Sequence, residues 1–226
     1  MASQEGILVS YGHRYLIASI VASAIVLSAC AGSGFTYVHT SDNLAFFKVP
    51  LGWTTYNKQQ ILVASGQSLS PATDQTYTFL MGYDSDPHPS IEHVLSLPDA
   101  PAYPVIVAQV RTLSPQDQDS MSLASIRNAI YPLDRLAQAN AAALLGEKML
   151  SLSGGLHGSQ LLYQVSLQGT ASVNTGNQVI EVNQIGLVDP AMTKLYLFTV
   201  RCEAHCYRDN QKLINQIVQS WTVKER

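Results

Sequence analysis

Asp84, Asp86, His88, Glu92 and His93 crowd one proline-rich stretch of this sequence. Carboxylates and imidazoles together form mixed ligand sets for divalent metals. Their spacing matches no diagnostic metal or catalytic motif, so the stretch reads first as a solvated polar loop. The alternative is a metal site drawn from Asp84, Asp86, His88 and His93, and with it a small-ligand or metal-binding role for the 84–93 loop. The 3 cysteines form the second group. Cys202 and Cys206, spaced Cys-Glu-Ala-His-Cys, pair as a disulfide in an oxidising compartment if the backbone turns to bring their Cα atoms within about 7 Å. The rival is a metal site of Cys202, His205 and Cys206, but the second ligand pair such sites use is not evident, and the order is not that of covalent haem attachment. Cys30 stands apart, at the end of an apolar run. Serine, histidine and aspartate are all present, yet no nucleophile elbow or metal-helix motif gathers them. No catalytic residue is assigned, no catalysis is expected and no cofactor is implied. Gly154-Gly155-Leu156-His157-Gly158 lacks the spacing of a phosphate or dinucleotide loop and reads as a turn or bulge.

The run before Cys30 decides where such groups would work. Leu16 to Leu27 is uncharged and mostly apolar, with His13 and Arg14 just ahead of it. As a helix it spans about 18 Å, well short of the ~30 Å hydrocarbon core of a bilayer, so it fits the apolar core of an export signal. Leu27-Ser28-Ala29-Cys30, followed by Ala31 and Gly32, resembles the bacterial lipobox. The resemblance implies diacylglycerol on the Cys30 thiol, cleavage before Cys30 and acylation of the new amino terminus. The expected organisation is a signal peptide over 1–29, a lipidated tether over 30–36 and one domain over 37–226. The protein then sits on the extracytoplasmic face of a cell membrane, held through lipid on Cys30, with an envelope protein complex as the other expected partner. Export also makes the disulfide the default state of Cys202 and Cys206.

Composition fits a folded body. Of the 226 residues, 46% are apolar and 13% charged, an ordinary globular balance. The net charge of −3 carries no basic excess, which argues against nucleic acid as a partner.

Alternating apolar and β-branched runs predict strands near Phe35–Val38, Leu44–Val49, Trp53–Tyr56, Ile61–Ala64, Thr76–Tyr83, Pro104–Thr112, Leu161–Leu167, around Ile180 and Val182, and Leu195–Cys202. Polar loops are expected at Ser65–Asp74 and Ser114–Ser120, and hairpin connections at Thr170–Asn177 and Val188–Ala191. Ile91–Leu97 reads as a short helix. Leu123, Ile126, Ile130 and Leu133 share a helical face, broken at Pro132 into one helix ending near Ile130 and another starting at Pro132. Alanine-rich Ala137–Leu145 reads as a continuing helix. A last helix begins at a cap on Asp209 or Asn210 and carries the stripe Leu213, Ile214, Ile217, Val218 and Trp221, with Lys212, Asn215, Gln216 and Gln219 facing away. Thr222–Lys224 reads as a closing strand. Serial strands with short turns imply antiparallel pairing.

Phe46 to Trp53, with Val49-Pro50-x-Gly52-Trp53, resembles the opening of PsbP-like and Mog1-like proteins, and Ile217 to Val223 resembles that group's last helix and its exit. Val110-Arg111-Thr112-Leu113-Ser114, then Leu123-Ala124-Ser125-Ile126-Arg127-Asn128, are similar to actinobacterial lipoproteins of the same kind. The likeness implies an α/β fold, an antiparallel β-sheet flanked by helices in an α/β/α sandwich. It also implies a role without catalysis, since Mog1 binds a small GTPase and PsbP is an extrinsic subunit of a membrane complex. Export excludes a cytosolic GTPase here.

Overall fold

Residues 34–95, 100–152, 155–167 and 178–224 are described in the computed structural model. The chain divides into a segment Met1–Phe35 and a body Thr36–Arg226. The apolar run, Cys30 and the expected hairpin loop Thr170–Asn177 lie outside the described residues. Among the described residues no helix is long and apolar enough to cross a membrane.

The strands are β1 (Phe35–His39), β2 (Ala45–Pro50), β3 (Thr54–Tyr56), β4 (Tyr77–Asp84), β5 (Val105–Thr112), β6 (Ala142–Ser151), β7 (His157–Ser166), β8 (Val179–Val188), β9 (Lys194–Glu203) and β10 (Thr222–Val223). The helices are α1 (Lys58–Ala64), α2 (Pro71–Thr76), α3 (Ile91–Leu95), α4 (Pro115–Ser120), α5 (Leu123–Arg127), α6 (Leu133–Gln138), α7 (Ala204–Asp209) and α8 (Gln211–Gln219). A 7-stranded sheet has the order β3-β4-β5-β9-β8-β7-β6, and a 3-stranded sheet the order β1-β2-β10. The large sheet is antiparallel throughout, as is β2 with β10.

Register fixes which side chains share a face. Asp84, Val105, Arg201, Val182, Tyr163 and Leu144 stand opposite one another across β4, β5, β9, β8, β7 and β6. Ile61 and Leu62 of α1 and Val94 of α3 cover one part of that face, and Ile126 of α5 and Leu133 of α6 cover others. On the opposite face Phe47 of β2 meets Tyr83 and Phe198 at ring centroid distances of 5.8 and 5.2 Å, and Trp221 stacks on Phe198 at 4.8 Å. Ile214, Ile217 and Val218 of α8 are buried there, while Lys212, Asn215, Gln216 and Gln219 are exposed, as the stripe requires. The result is the expected α/β/α layering, with a small second sheet added on the α8 side.

Four expectations are corrected. Ile61–Ala64 belongs to α1 rather than a strand. Asn57 Oδ1 accepts from the Gln60 amide at 3.0 Å and Gln60 Oε1 accepts from the Asn57 amide at 2.9 Å, and this capping box overrides the apolar strand-like run. The loop Ser65–Asp74 contains the start of α2, with Ser70 accepting from the Thr73 amide and Pro71 in the first turn. Ser114–Ser120 is likewise α4, opened by a Ser114–Asp117 capping box. Ala137–Leu145 does not continue as helix. Asn140 adopts a left-handed φ of 55°, which ends α6, and β6 begins at Ala142. Alanine's helix preference of a few tenths of a kcal/mol per residue yields there to a full ladder with β7. Smaller shifts follow the same logic. α5 stops at Arg127, before Ile130, and Asn210 opens α8 without a side-chain cap because its Nδ2 donates to Cys206 O at 2.9 Å. Trp221 lies just past α8.

Candidate functional site

The crowded loop after β4 turns out to be organised by one carboxylate. Asp84 is buried, and its two oxygens accept from the Asp86 amide and the Ser90 amide, each at 3.0 Å. His93 Nδ1 lies 2.8 Å from Asp84 Oδ2 and 4.0 Å from Asp86 Oδ2. Asp86 in turn accepts from the His88 amide at 2.8 Å. Ser90 Oγ donates to the Glu92 carboxylate, and this bond holds Glu92 below the usual carboxylate range. Asp84, Asp86 and His93 therefore come together, with both aspartates accepting from the loop's own backbone amides and His93 turned onto the Asp84 carboxylate. His88 stays exposed. Among the described residues no group of three or more His, Cys, Asp or Glu side chains is arranged to hold a metal ion.

The loop clamp carries α3 onto the sheet. Val94 packs beside Gly82, and Val94 O accepts from Arg201 Nη2. Arg201 is buried on the same row as Asp84 with Val105 between them, about 10 Å away at two strand spacings, and its Nε has no partner. Deeper in the same layer, the Tyr163 hydroxyl donates to Gln184 Oε1 and Gln184 Nε2 donates to Ile126 O, both at 2.8 Å. Burial pushes the Tyr163 phenol up, which favours keeping its proton on the bond to Gln184.

Cys202 and Cys206 are joined, with Cα atoms 6.0 Å apart where β9 turns into α7. Bonded sulfurs cannot act as thiolate ligands. His205 instead faces Glu203, Nδ1 to Oε2, at 3.1 Å. Gly154 lies outside the described residues, and His157 and Gly158 open β7. Among the described residues no histidine ring meets a serine, threonine or cysteine side chain.

Two surfaces escaped the sequence reading. One is a cleft of about 420 Å³ between α1 and α2, bounded by Leu62, Leu69, Ser70 and Thr73. Its charges are already matched: Lys58 pairs with Asp74 and donates to Tyr77 O at 3.0 Å. The other is β6, the outer edge of the large sheet and 10 residues long. Leu144, Leu145 and Met149 are 46%, 49% and 54% exposed along it. Its only charges, Glu147 and Lys148, are adjacent, and the pairing with β7 slips between Leu144 and Gly146. This surface can accept another extended chain. Asn140, a helix-stopping residue, and Gly146, a bulge residue, were the signals that could have revealed it.

No family model matches the chain, and no curated protein matches it. Solved structures do. Cyanobacterial PsbP from Synechocystis sp. PCC 6803 is similar at 12% identity and a TM-score of 0.42, over 88% of this chain and 99% of that one. The Ran-binding protein Mog1p of Saccharomyces cerevisiae is similar at 12% identity and a TM-score of 0.42, over 84% of this chain and 95% of that one. LpqN of Mycobacterium tuberculosis, involved in cell envelope biogenesis, is similar at 16% identity and a TM-score of 0.44, over 84% of this chain and 91% of that one.

Proposed function

We propose that this chain is a lipid-anchored accessory protein on the extracytoplasmic face of a bacterial membrane, and that it binds a partner protein by adding a strand of that partner to β6. Residues 1–29 act as its export signal, 30–36 as its tether and 37–226 as its binding domain. The observation that carries the binding role is the edge of β6, long, apolar and unpaired among the described residues. The lipobox at Leu27–Cys30 supports the address, and the Cys202–Cys206 bond supports an oxidising compartment. A second copy of this chain suits β6 less well than a different sequence. Antiparallel pairing about Glu147 or Lys148 sets that charge against its own copy, which destabilises a symmetric pair.

The test uses a photo-crosslinking amino acid in intact cells, placed at Leu145 or Met149, with Val63 of α1 (58% exposed) as the control. A discrete adduct from the β6 positions alone is expected. Equal adducts at all three positions, or none from β6, overturn the binding surface. Labelling with a clickable fatty acid tests the anchor: label is expected on the native chain and none on Cys30→Ala.

A further inference from the structure

The outward face of the small sheet has a chemistry unlike the rest of the surface. Tyr37 and His39 of β1, Phe46 and Lys48 of β2, Thr222 of β10 and the adjoining Lys224 make it up. Lys48 Nζ lies over the Tyr37 ring at 5.3 Å, and Lys224 Nζ lies over the Phe46 ring at 4.4 Å. A shallow groove of about 290 Å³ runs between them. Among the described residues no carboxylate pairs with either lysine. The nearest acid in the sheet's own turn, Asp42, is already committed: burial alone would raise it, but hydrogen bonds from Thr40 and Lys194 hold it below the usual range. Tyr37 is 65% exposed, so an aromatic ring and two ammonium groups face outward together.

We propose that this face rests on the anionic phosphate headgroups of the membrane. The proposal builds on the lipid anchor at Cys30. Five residue steps lead from Cys30 to Phe35, and a fully extended chain of that length reaches about 18 Å. An anchored Cys30 therefore keeps β1 near the bilayer surface. Lysine there is drawn to anionic lipid, and exposed aromatic rings prefer the headgroup zone. Free phosphate offers the same charge without the surface that the aromatic rings need.

Lysine footprinting tests this. The full native chain is bound to vesicles of phosphatidylglycerol and phosphatidylcholine, or of phosphatidylcholine alone, and labelled with an amine-acetylating reagent. Labelling of Lys48 and Lys224 is expected to fall about fivefold on the anionic vesicles, while exposed Lys148 and Lys212 label equally on both. The variant Lys48→Gln/Lys224→Gln is expected to leave Tyr37 open to iodination on anionic vesicles, where the native chain protects it. Equal labelling of Lys48 on both vesicles overturns the proposal, as does equal protection by inorganic phosphate without vesicles. Intact mass read in parallel separates the two readings. An unmodified Cys30 defeats the anchor, and the footprint of that unmodified chain on the vesicles still decides the surface.

Discussion

At one edge of the 7-stranded sheet β3 is 3 residues long, and at the other β6 runs for 10. The short edge is closed by its own sequence. Asn57 caps α1 immediately after β3, so the chain turns away and covers β4 with Ile61 and Leu62. Among the described residues, helix cover at the long edge reaches Ala142, beside Leu133 of α6, while Leu144, Leu145 and Met149 stay about half exposed. An exposed apolar edge is an aggregation hazard that folded proteins usually blunt with charge, bulges or brevity. β3 is blunted by brevity, while β6 carries one slip and two charges over its whole length. The proposed strand addition at β6 is the use that this difference between the edges suggests.

Two glycines measure how rigid each end is. A Cβ on Gly158, in β7 beside the open edge, would run into Gly186 O, a backbone atom held inside the ladder. A Cβ on Gly82, in β4 beside the closed edge, would press on the Val94 side chain of α3, which rides on the sheet and can shift. Gly158→Ala is expected to cost about 3 kcal/mol and Gly82→Ala about half of that, read from urea unfolding midpoints. The reverse order would mean that the α3 side is the stiffer one and that the open edge rests on a yielding strand.

Alkaline pH sharpens the same contrast with a smaller effect. Burial pushes the Tyr83 phenol in β4 up to about 12. The unfolded chain releases that proton near 10, before the folded one does. Stability is therefore full below about pH 10 and falls as pH rises toward 12, by up to about 2 to 3 kcal/mol. Tyr83→Phe is expected to remove its own share of the decline between pH 9 and pH 11.5, the rest belonging to the other buried phenols. An unchanged decline would assign it elsewhere, with Tyr163 and Tyr207, both raised by burial, the next to replace.

The asymmetry between the edges was only half legible in the sequence. β4, β5 and β9 were readable because apolar and β-branched residues run through them, and α8 because its stripe is clean. The Cys202–Cys206 pair was readable from spacing and compartment together. α1 and β6 were misread in opposite directions for one physical reason. Ile61-Leu62-Val63-Ala64 looks like strand until the Asn57–Gln60 caps are counted, and Ala141-Ala142-Ala143-Leu144-Leu145 looks like helix until Asn140 is seen to end one. Local preferences are weak, and a cap or a ladder with β7 outweighs them. The candidate interface was hidden by that second misreading. The loop at 84–93 read first as a solvated polar loop, and composition could not say that Asp84 is buried and closes that loop by accepting from its backbone amides.

The smallest expected effect on stability carries the most weight for function. Leu145→Lys and Met149→Lys place a charge on side chains that are already about half exposed at the open edge. Nothing in the core loses a contact, so each is expected to move the unfolding free energy by no more than about 0.5 kcal/mol. A lysine on an edge strand discourages pairing with a further strand. Capture of the partner at β6 in cells is therefore expected to fall at least about tenfold, the equivalent of 1.4 kcal/mol, while fatty-acid labelling stays at the native level. A lysine variant that unfolds easily would mean that Leu145 and Met149 hold the sheet together. One that folds normally and still captures its partner in full would mean that β6 is merely bare. Normal folding with capture lost is the outcome that makes the long edge a binding surface.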